Sequence, residues 1–353
     1  RKERTVMVIG ILGYGVVGRG VYKIASKNNI KVKRILEKNI SDPILQTNSI
    51  EDIVDDPEID TVVECLGGDD IPFEYCAKAL RSGKNVVTSN KKMLVKYLKE
   101  INDLAIENNV SLLYSSACGG GIPVLHEINR IANIDMIISV AGIMNGTSNY
   151  ILDQMYTNNL DFDIALKQAQ DLGYAEKDPS DDIDGIDSAN KLVLASLLSF
   201  DKAYKLEDLF IKGIRHIKKI DMEYFKNNGY RCILLAKNVN NCLTVMPSLV
   251  KSGPFSSITL NNNCFMVVGE DLGNIYLIGQ GAGELPTASN VVRDLKDIDN
   301  SFNRRINKFE LPDYDDVKGD YYIRGIGLVK DKSINELKKM IKDDDFVCEV
   351  LDD

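Results

Sequence analysis

Histidine is nearly missing from this chain: His126 and His216 are the two in 353 residues, too few for most metal clusters. The seven cysteines (Cys65, Cys76, Cys118, Cys232, Cys242, Cys264 and Cys348) are odd in number, scattered and never spaced as CxxC. That pattern excludes a disulfide framework or a zinc ribbon. It suits reduced thiols, with a cytoplasmic location as the expectation. No apolar run is long enough to span a bilayer and the first residues do not form a signal peptide, so no membrane partner is expected. The chain lacks an initiator Met, which reads as a start slightly inside the full protein. Positive charge is in deficit too. Against 52 Asp and Glu stand 43 Lys and Arg, a net charge of −9 that argues against a nucleic-acid partner.

What is present is an ordinary globular balance, 44% hydrophobic and 27% charged. The length exceeds what one core usually sustains, so two domains are expected. An apolar run, Thr5–Leu12, ends in Gly13-Tyr-Gly-Val-Val-Gly18, and helix formers follow from Arg19 to Lys27. A second strand candidate is Ile30–Leu36, closed by Glu37 and Lys38. Further strands are predicted at Thr61–Leu66, Asn85–Thr88 and Ser111–Ser115, with helices at Ile71–Arg81 and Lys96–Asn108 between them. This alternation predicts a doubly wound parallel sheet. After Asn133 the pattern changes. A strand at Met136–Met144 leads to helices at Tyr150–Asn158, at Asp163–Leu172 and from about Ile186, and then to antiparallel strands at Cys242–Ser248, Cys264–Glu270 and Asn274–Gly279. The tail reads as strand, helix, strand: Asp320–Val329, Ser333–Lys342 and Phe346–Leu351.

The glycine turn has the context that a dinucleotide site needs, between a strand and a helix. Gly13 permits the tight turn, Gly15 lets the backbone approach a pyrophosphate, and Gly18 allows close helix–strand packing. The helix N-terminus at Val16 and Val17 offers free N–H groups. Glu37, 19 positions after Gly18, is placed to bind ribose hydroxyls as in NAD; Lys38 or Arg34 would instead favour the 2′-phosphate of NADP. The sequence leaves that choice open. Asp187 and Lys191 are spaced i, i+4 and share one face of a helix. By themselves they favour the reading of an ordinary ion pair on a solvated acidic loop.

Five segments carry a resemblance to the homoserine dehydrogenase family. They are Asp60-Thr-Val-Val-Glu-Cys-Leu-Gly-Gly68, Gly83-Lys-Asn-Val-Val-Thr-Ser-Asn-Lys91, Gly142-Ile-Met-Asn-Gly-Thr-Ser-Asn-Tyr-Ile-Leu152, the stretch from Leu172 to Lys191, and Gly279-Gln-Gly-Ala-Gly-Glu-Leu-Pro-Thr-Ala-Ser289. Their order and spacing match over about residues 5–300. The resemblance implies an α/β protein: an N-terminal Rossmann-like doubly wound parallel sheet plus an α+β substrate and dimerisation domain with a mostly antiparallel sheet. The expected boundaries are 1–135 for the nucleotide-binding domain, completed by about 284–310, then 136–283, and a 311–353 extension like half of an ACT domain. Threonine feedback is left open, with the half-length tail weighing against it.

The implied reaction is NAD(P)-dependent interconversion of L-homoserine and L-aspartate 4-semialdehyde, on the route to threonine and methionine, by a monofunctional homodimer. By resemblance Lys191 moves the proton, Lys91 shares or takes over that role at the nicotinamide, and Asp187 positions substrate and lysine. Glu176 pairs with the substrate ammonium, and Thr147 and Asp182 belong to the substrate site. Gly173 and Gly283 read as close-approach glycines at the cofactor, or as a helix cap and a loop turn. Relatives commonly bind a monovalent cation such as sodium. In the matching stretch Ser115 stands where the family has glutamate, leaving the carbonyls of Cys118, Gly120 and Ile122 as weaker ligands, and the balance is against a bound metal. Two other readings stand beside this one: a semialdehyde dehydrogenase with Cys118 as nucleophile, and a catalytically silent dinucleotide-sensing protein.

Overall fold

The computed structural model describes residues 6–300 and 310–351. The chain falls into two compact units, one of Arg1–Glu127 with Ala282–Phe309 and one of Ile128–Gly281 with Glu310–Asp353. The parts of the expected boundaries that fall on 1–5, 301–309 and 352–353 lie outside the described residues.

The first unit is built on six strands: β1 (Met7–Leu12), β2 (Ile30–Leu36), β3 (Gln46–Thr47), β4 (Thr61–Glu64), β5 (Asn85–Thr88) and β6 (Leu112–Leu113). All pairings are parallel, in the order β3-β2-β1-β4-β5-β6. A parallel sheet is covered by helices on both faces, which is why its strands are short apolar runs; β4 is buried at every position. The order reverses between β1 and β4, so the carboxyl ends of these strands form the switch point where such sheets take ligands. The helix Glu284–Asp299 returns to this unit, and its Ala288, Val291, Val292 and Leu295 join Ile9, Ile11, Val21 and Ala25 in one core. The approach is close at Gly20, where a Cβ would lie 2.7 Å from the Glu284 carbonyl oxygen.

The second unit carries β7 (Ile137–Ile143), β8 (Phe210–Ile211), β9 (Arg231–Val239), β10 (Cys242–Val250), β11 (Asn262–Gly269), β12 (Gly273–Gln280), β13 (Lys318–Ile323), β14 (Gly327–Ser333) and β15 (Val347–Val350). Their order is β12-β11-β7-β9-β10-β15-β13-β14, with β8 beside β10. The sheet is mostly antiparallel; β8 and β15 run parallel to β10. The helix Ile186–Phe200 lies against β7, β9 and β10 and is buried almost throughout, including its polar residues Asp187 and Lys191.

Three expectations are corrected. The tail is not a single strand, helix and strand, because Asp320–Val329 is a hairpin: β13 turns at Arg324–Ile326 into β14, with Gly325 at φ +85° and Gly327 at φ +102°. The helix expected from Lys96 starts at Lys91, since the Asn90 side chain caps it by accepting from the Met93 N–H at 3.1 Å. The helix expected from Tyr150 starts at Gly146 for the same reason, with Asn145 as its cap.

Candidate active site

In the second unit the cap residue is also the centre of a polar cluster. Strand β7 ends at Ile143, and Asn145 follows in extended conformation, its Oδ1 accepting from the Ser148 N–H at 2.8 Å. This leaves its amide nitrogen to donate to Asp182 Oδ1 at 2.6 Å and to Asp187 Oδ2 at 2.9 Å. Lys191 approaches from one helical turn beyond Asp187. Its Nζ donates to Asp187 Oδ2 at 2.7 Å and to the Met144 carbonyl at 2.6 Å. The two side chains are 9% and 10% exposed, so the pair is not an ornament of a solvated face. A buried charge needs such partners, and here each charged group is held by an opposite charge and by a neutral dipole.

Asp182 is held above the ordinary carboxylate range. Burial is the main cause and the Asp187 charge adds to it, while the Asn145 amide, Thr147 and Lys191 oppose it. Gly185, at φ +85°, turns the short helix Ser180–Ile183 into the Ile186–Phe200 helix and so sets Asp182 and Asp187 on one cluster. Thr147 lies in the first turn of the Gly146–Asn158 helix, where its hydroxyl donates to the Tyr174 carbonyl at 2.7 Å. Glu176 is exposed on the loop after Tyr174, and its backbone carbonyl accepts from Gln170 Nε2 at 3.2 Å. Gly173 ends the Phe162–Asp171 helix at φ +75°, a left-handed stop.

In the first unit the glycine turn closes as the sequence requires. Gly13 has φ +94°, and a Cβ on Gly18 would fall 2.1 Å from the Gly13 carbonyl oxygen. Gly15 precedes the Val16–Lys27 helix with no side-chain cap and with open space around its Cβ position, which leaves a cradle for a pyrophosphate at the N-terminus of a helix. Glu37 reaches back to this turn, its carboxylate accepting from the Tyr14 N–H at 3.2 Å and from the Lys38 N–H at 2.8 Å. Lys38 itself is exposed, and Arg34 donates to the Ile44 carbonyl. Gly283, at φ +127°, precedes the Glu284–Asp299 helix.

Lys91 opens its helix at the carboxyl end of β5 and belongs to the first unit, whereas Lys191 belongs to the second. The turn that carries Lys91 is fixed by Glu64, a residue to which the sequence pattern assigns no role. Glu64, fully buried at the end of β4, accepts from the Leu66 N–H at 2.6 Å and from the Thr88 hydroxyl. Thr88 Oγ1 in turn accepts from the Asn90 N–H at 3.0 Å, and Asn90 Nδ2 donates to the Gly68 carbonyl at 2.7 Å. Burial pushes the Glu64 carboxyl up to about 7. Cys118 is fully buried, which runs against a nucleophile open to substrate. His126 sits in the Val124–Ile131 helix with Nδ1 2.8 Å from Asp297 Oδ2.

Two of the three carbonyls nominated for a cation are already engaged within the first unit. The Gly120 and Ile122 carbonyls both accept from Asn290 Nδ2, and the Ser115 N–H donates to Asp294 Oδ2 at 2.8 Å. Among the described residues no group of three or more His, Cys, Asp or Glu could hold a metal ion. Nor is any described helix long and apolar enough to cross a membrane.

Comparison with known proteins matches both halves of the chain to one family. The family model described as homoserine dehydrogenase matches residues 123–295, and that described as homoserine dehydrogenase, NAD binding domain, matches residues 13–115. A homoserine dehydrogenase of Bacillus subtilis is 35% identical over 309 residues, covering 81% of this chain and 71% of its own. The crystal structure of a homoserine dehydrogenase from Thiobacillus denitrificans superposes with a TM-score of 0.85 at 33% identity, covering 90% of this chain and 82% of that one. A hyperthermophilic archaeal homoserine dehydrogenase mutant in complex with NADPH gives a TM-score of 0.74 at 25% identity, over 84% of this chain and 98% of that one. The chain belongs to the homoserine dehydrogenase family, oxidoreductases that use a nicotinamide dinucleotide and act on homoserine.

Proposed function

We propose that the chain interconverts L-homoserine and L-aspartate 4-semialdehyde with Lys191 as the residue that moves the proton. The observation that carries this reading is the buried Lys191–Asp187 pair, anchored by the Met144 carbonyl and the Asn145 amide. A bound nicotinamide dinucleotide supplies the hydride acceptor or donor. In the reduction, the Lys191 ammonium gives a proton to the aldehyde oxygen as carbon receives hydride; in the oxidation, the hydroxyl proton returns to Lys191. Asp187 positions the ammonium, and Asn145 positions Asp187. Asp182 offers negative charge to the substrate ammonium, with Glu176 a second carboxylate on the adjoining loop and Thr147 at the start of the adjoining helix. Lys91, on a turn held by Glu64 and Asn90 in the first unit, is the alternative candidate for moving the proton.

The dinucleotide is assigned to the first unit and the amino acid to the second, with Gly13, Gly15, Val16, Val17 and Gly18 at the pyrophosphate. Glu37 beside the Tyr14 N–H supports NAD over NADP, since a carboxylate there accepts from ribose hydroxyls and repels a 2′-phosphate. A homodimer is supported by apolar residues left outside on the second sheet, Ile138 at 45% and Ile278 at 55% exposure. The product serves the route to threonine and methionine.

The test is absorbance in the reduced-nicotinamide band after mixing the protein with homoserine and either NAD or NADP. Growth of the band that is lost in Lys191→Ala supports the reading. A Lys191→Ala enzyme with undiminished turnover removes Lys191 from the mechanism.

A further inference from the structure

The loop to which the resemblance assigns a monovalent cation is held here by a side chain of the chain itself. Two of its three nominated carbonyls, on Gly120 and Ile122, converge on one atom, the amide nitrogen of Asn290, with the Ile122 oxygen at 3.0 Å. An NH₂ group has two protons, one for each carbonyl. Asn290 is 0% exposed, and its Oδ1 accepts from an Arg293 N–H. Both ends of the amide are therefore satisfied without solvent, as a buried polar group requires. We propose that Asn290 takes the place of a monovalent cation in this chain, so that the loop is held and the protein folds and works without sodium or potassium.

Charge supports the exchange. An anionic ligand would offset the cost of drying a cation, and Ser115 offers none at the position where the resemblance implies a glutamate. The nearby buried carboxyl, Asp294, is already engaged by the Ser115 N–H, and its burial favours the neutral acid. The guanidinium of Arg293, bonded to the other end of the same amide, would repel an ion at the nitrogen's position. Space is short as well: a Cβ on Gly121 would lie 2.7 Å from Pro286 Cβ, so the loop is pressed against the start of the Glu284–Asp299 helix. One neutral donor that reaches both oxygens meets all these conditions without an added charge.

The experiment uses the whole protein exchanged into buffer free of alkali metals. Sodium chloride or potassium chloride is then titrated against choline chloride at constant ionic strength, and the melting temperature is read alongside turnover. A cation bound at ~100 times its Kd would raise the melting temperature by several degrees. The expected result is a melting temperature within about 1 °C of the choline control and turnover within about twofold of it. A saturable, ion-selective rise in either quantity overturns the proposal. The melting readout does not depend on which reaction the enzyme performs. A second arm uses Asn290→Ala, expected to melt several degrees lower; an unchanged melting temperature would also overturn the assignment. The titration of the unmodified protein decides the question if that variant does not fold.

Discussion

Replacing Lys191 separates two roles that a single buried ammonium combines. In Lys191→Met the apolar stem is kept and the charge is lost, leaving the Asp187 carboxylate, 10% exposed, without its ammonium. Breaking a buried ion pair from one side costs about 3–5 kcal/mol. The Asn145 amide still donates to the same Oδ2 at 2.9 Å, so the expected loss is smaller, about 2–4 kcal/mol. For a unit of this size that lowers Tm by roughly 5–12 °C. Turnover should fall by a factor of about 10²–10⁴, the usual contribution of a positioned general acid or base. Lys191→Arg distinguishes the two effects. A guanidinium retains the charge but does not give up its proton, so much of the stability should return while turnover stays low. Calorimetry gives the first quantity. Steady-state absorbance gives the second, and titration of reduced-dinucleotide fluorescence checks that cofactor binding survives. Turnover of Lys191→Met within about tenfold of the unmodified enzyme, with normal cofactor binding, would refute the proton-transfer role.

Two other expectations follow from the first unit. Glu37→Ser removes the carboxylate that accepts from the Tyr14 N–H, so the ratio of kcat/KM for NAD over NADP should fall by about tenfold or more, and an unchanged ratio would show that the ribose is read elsewhere. Stability should fall as pH rises from about 5 to about 8, because the buried Glu64 carboxyl, raised from 4.5 to about 7, keeps its proton in the folded chain after the unfolded chain has lost it. Asp294, raised from 3.8 to about 7, acts in the same direction, and each contributes roughly 3–4 kcal/mol that is present below the unfolded pKa and lost through the folded one. In Glu64→Gln the urea-unfolding free energy should change less across that window; an identical decline would locate the effect elsewhere.

How much of this was legible in the sequence depended on whether a residue's role leaves a periodic signal. The strand, glycine turn and helix at Met7–Lys27 were readable because the turn needs glycine at fixed offsets and the parallel strand is an uninterrupted apolar run. Strand β9, Arg231–Val239, was not identified: five consecutive buried residues give no alternation, so the segment does not declare itself as strand or helix. The hairpin at Lys318–Ser333 was read as one strand because the turn is only three residues long and its apolar neighbours mask it. The pair Asp187 and Lys191 was visible as helical spacing, but its burial was not. Asn145, Glu64 and Asn290 were passed over because a polar residue that works by satisfying buried partners has no pattern of its own. The one available hint was at Asn145, where Asn-Gly-Thr-Ser is a helix-start signature that places the cap, although not its second task of gripping two aspartates.

The position of β15 bears on how the second unit can be assembled. It is later in the chain than β13 and β14, yet it lies between β10 and β13 and supplies the pairing through which that hairpin joins the sheet. During synthesis, β13 and β14 therefore emerge as a hairpin that cannot join the sheet until residues Val347–Val350 have left the ribosome. A nascent chain halted just short of that strand would expose two unmatched edges, at β10 and at β13, and those edges would invite the wrong partner.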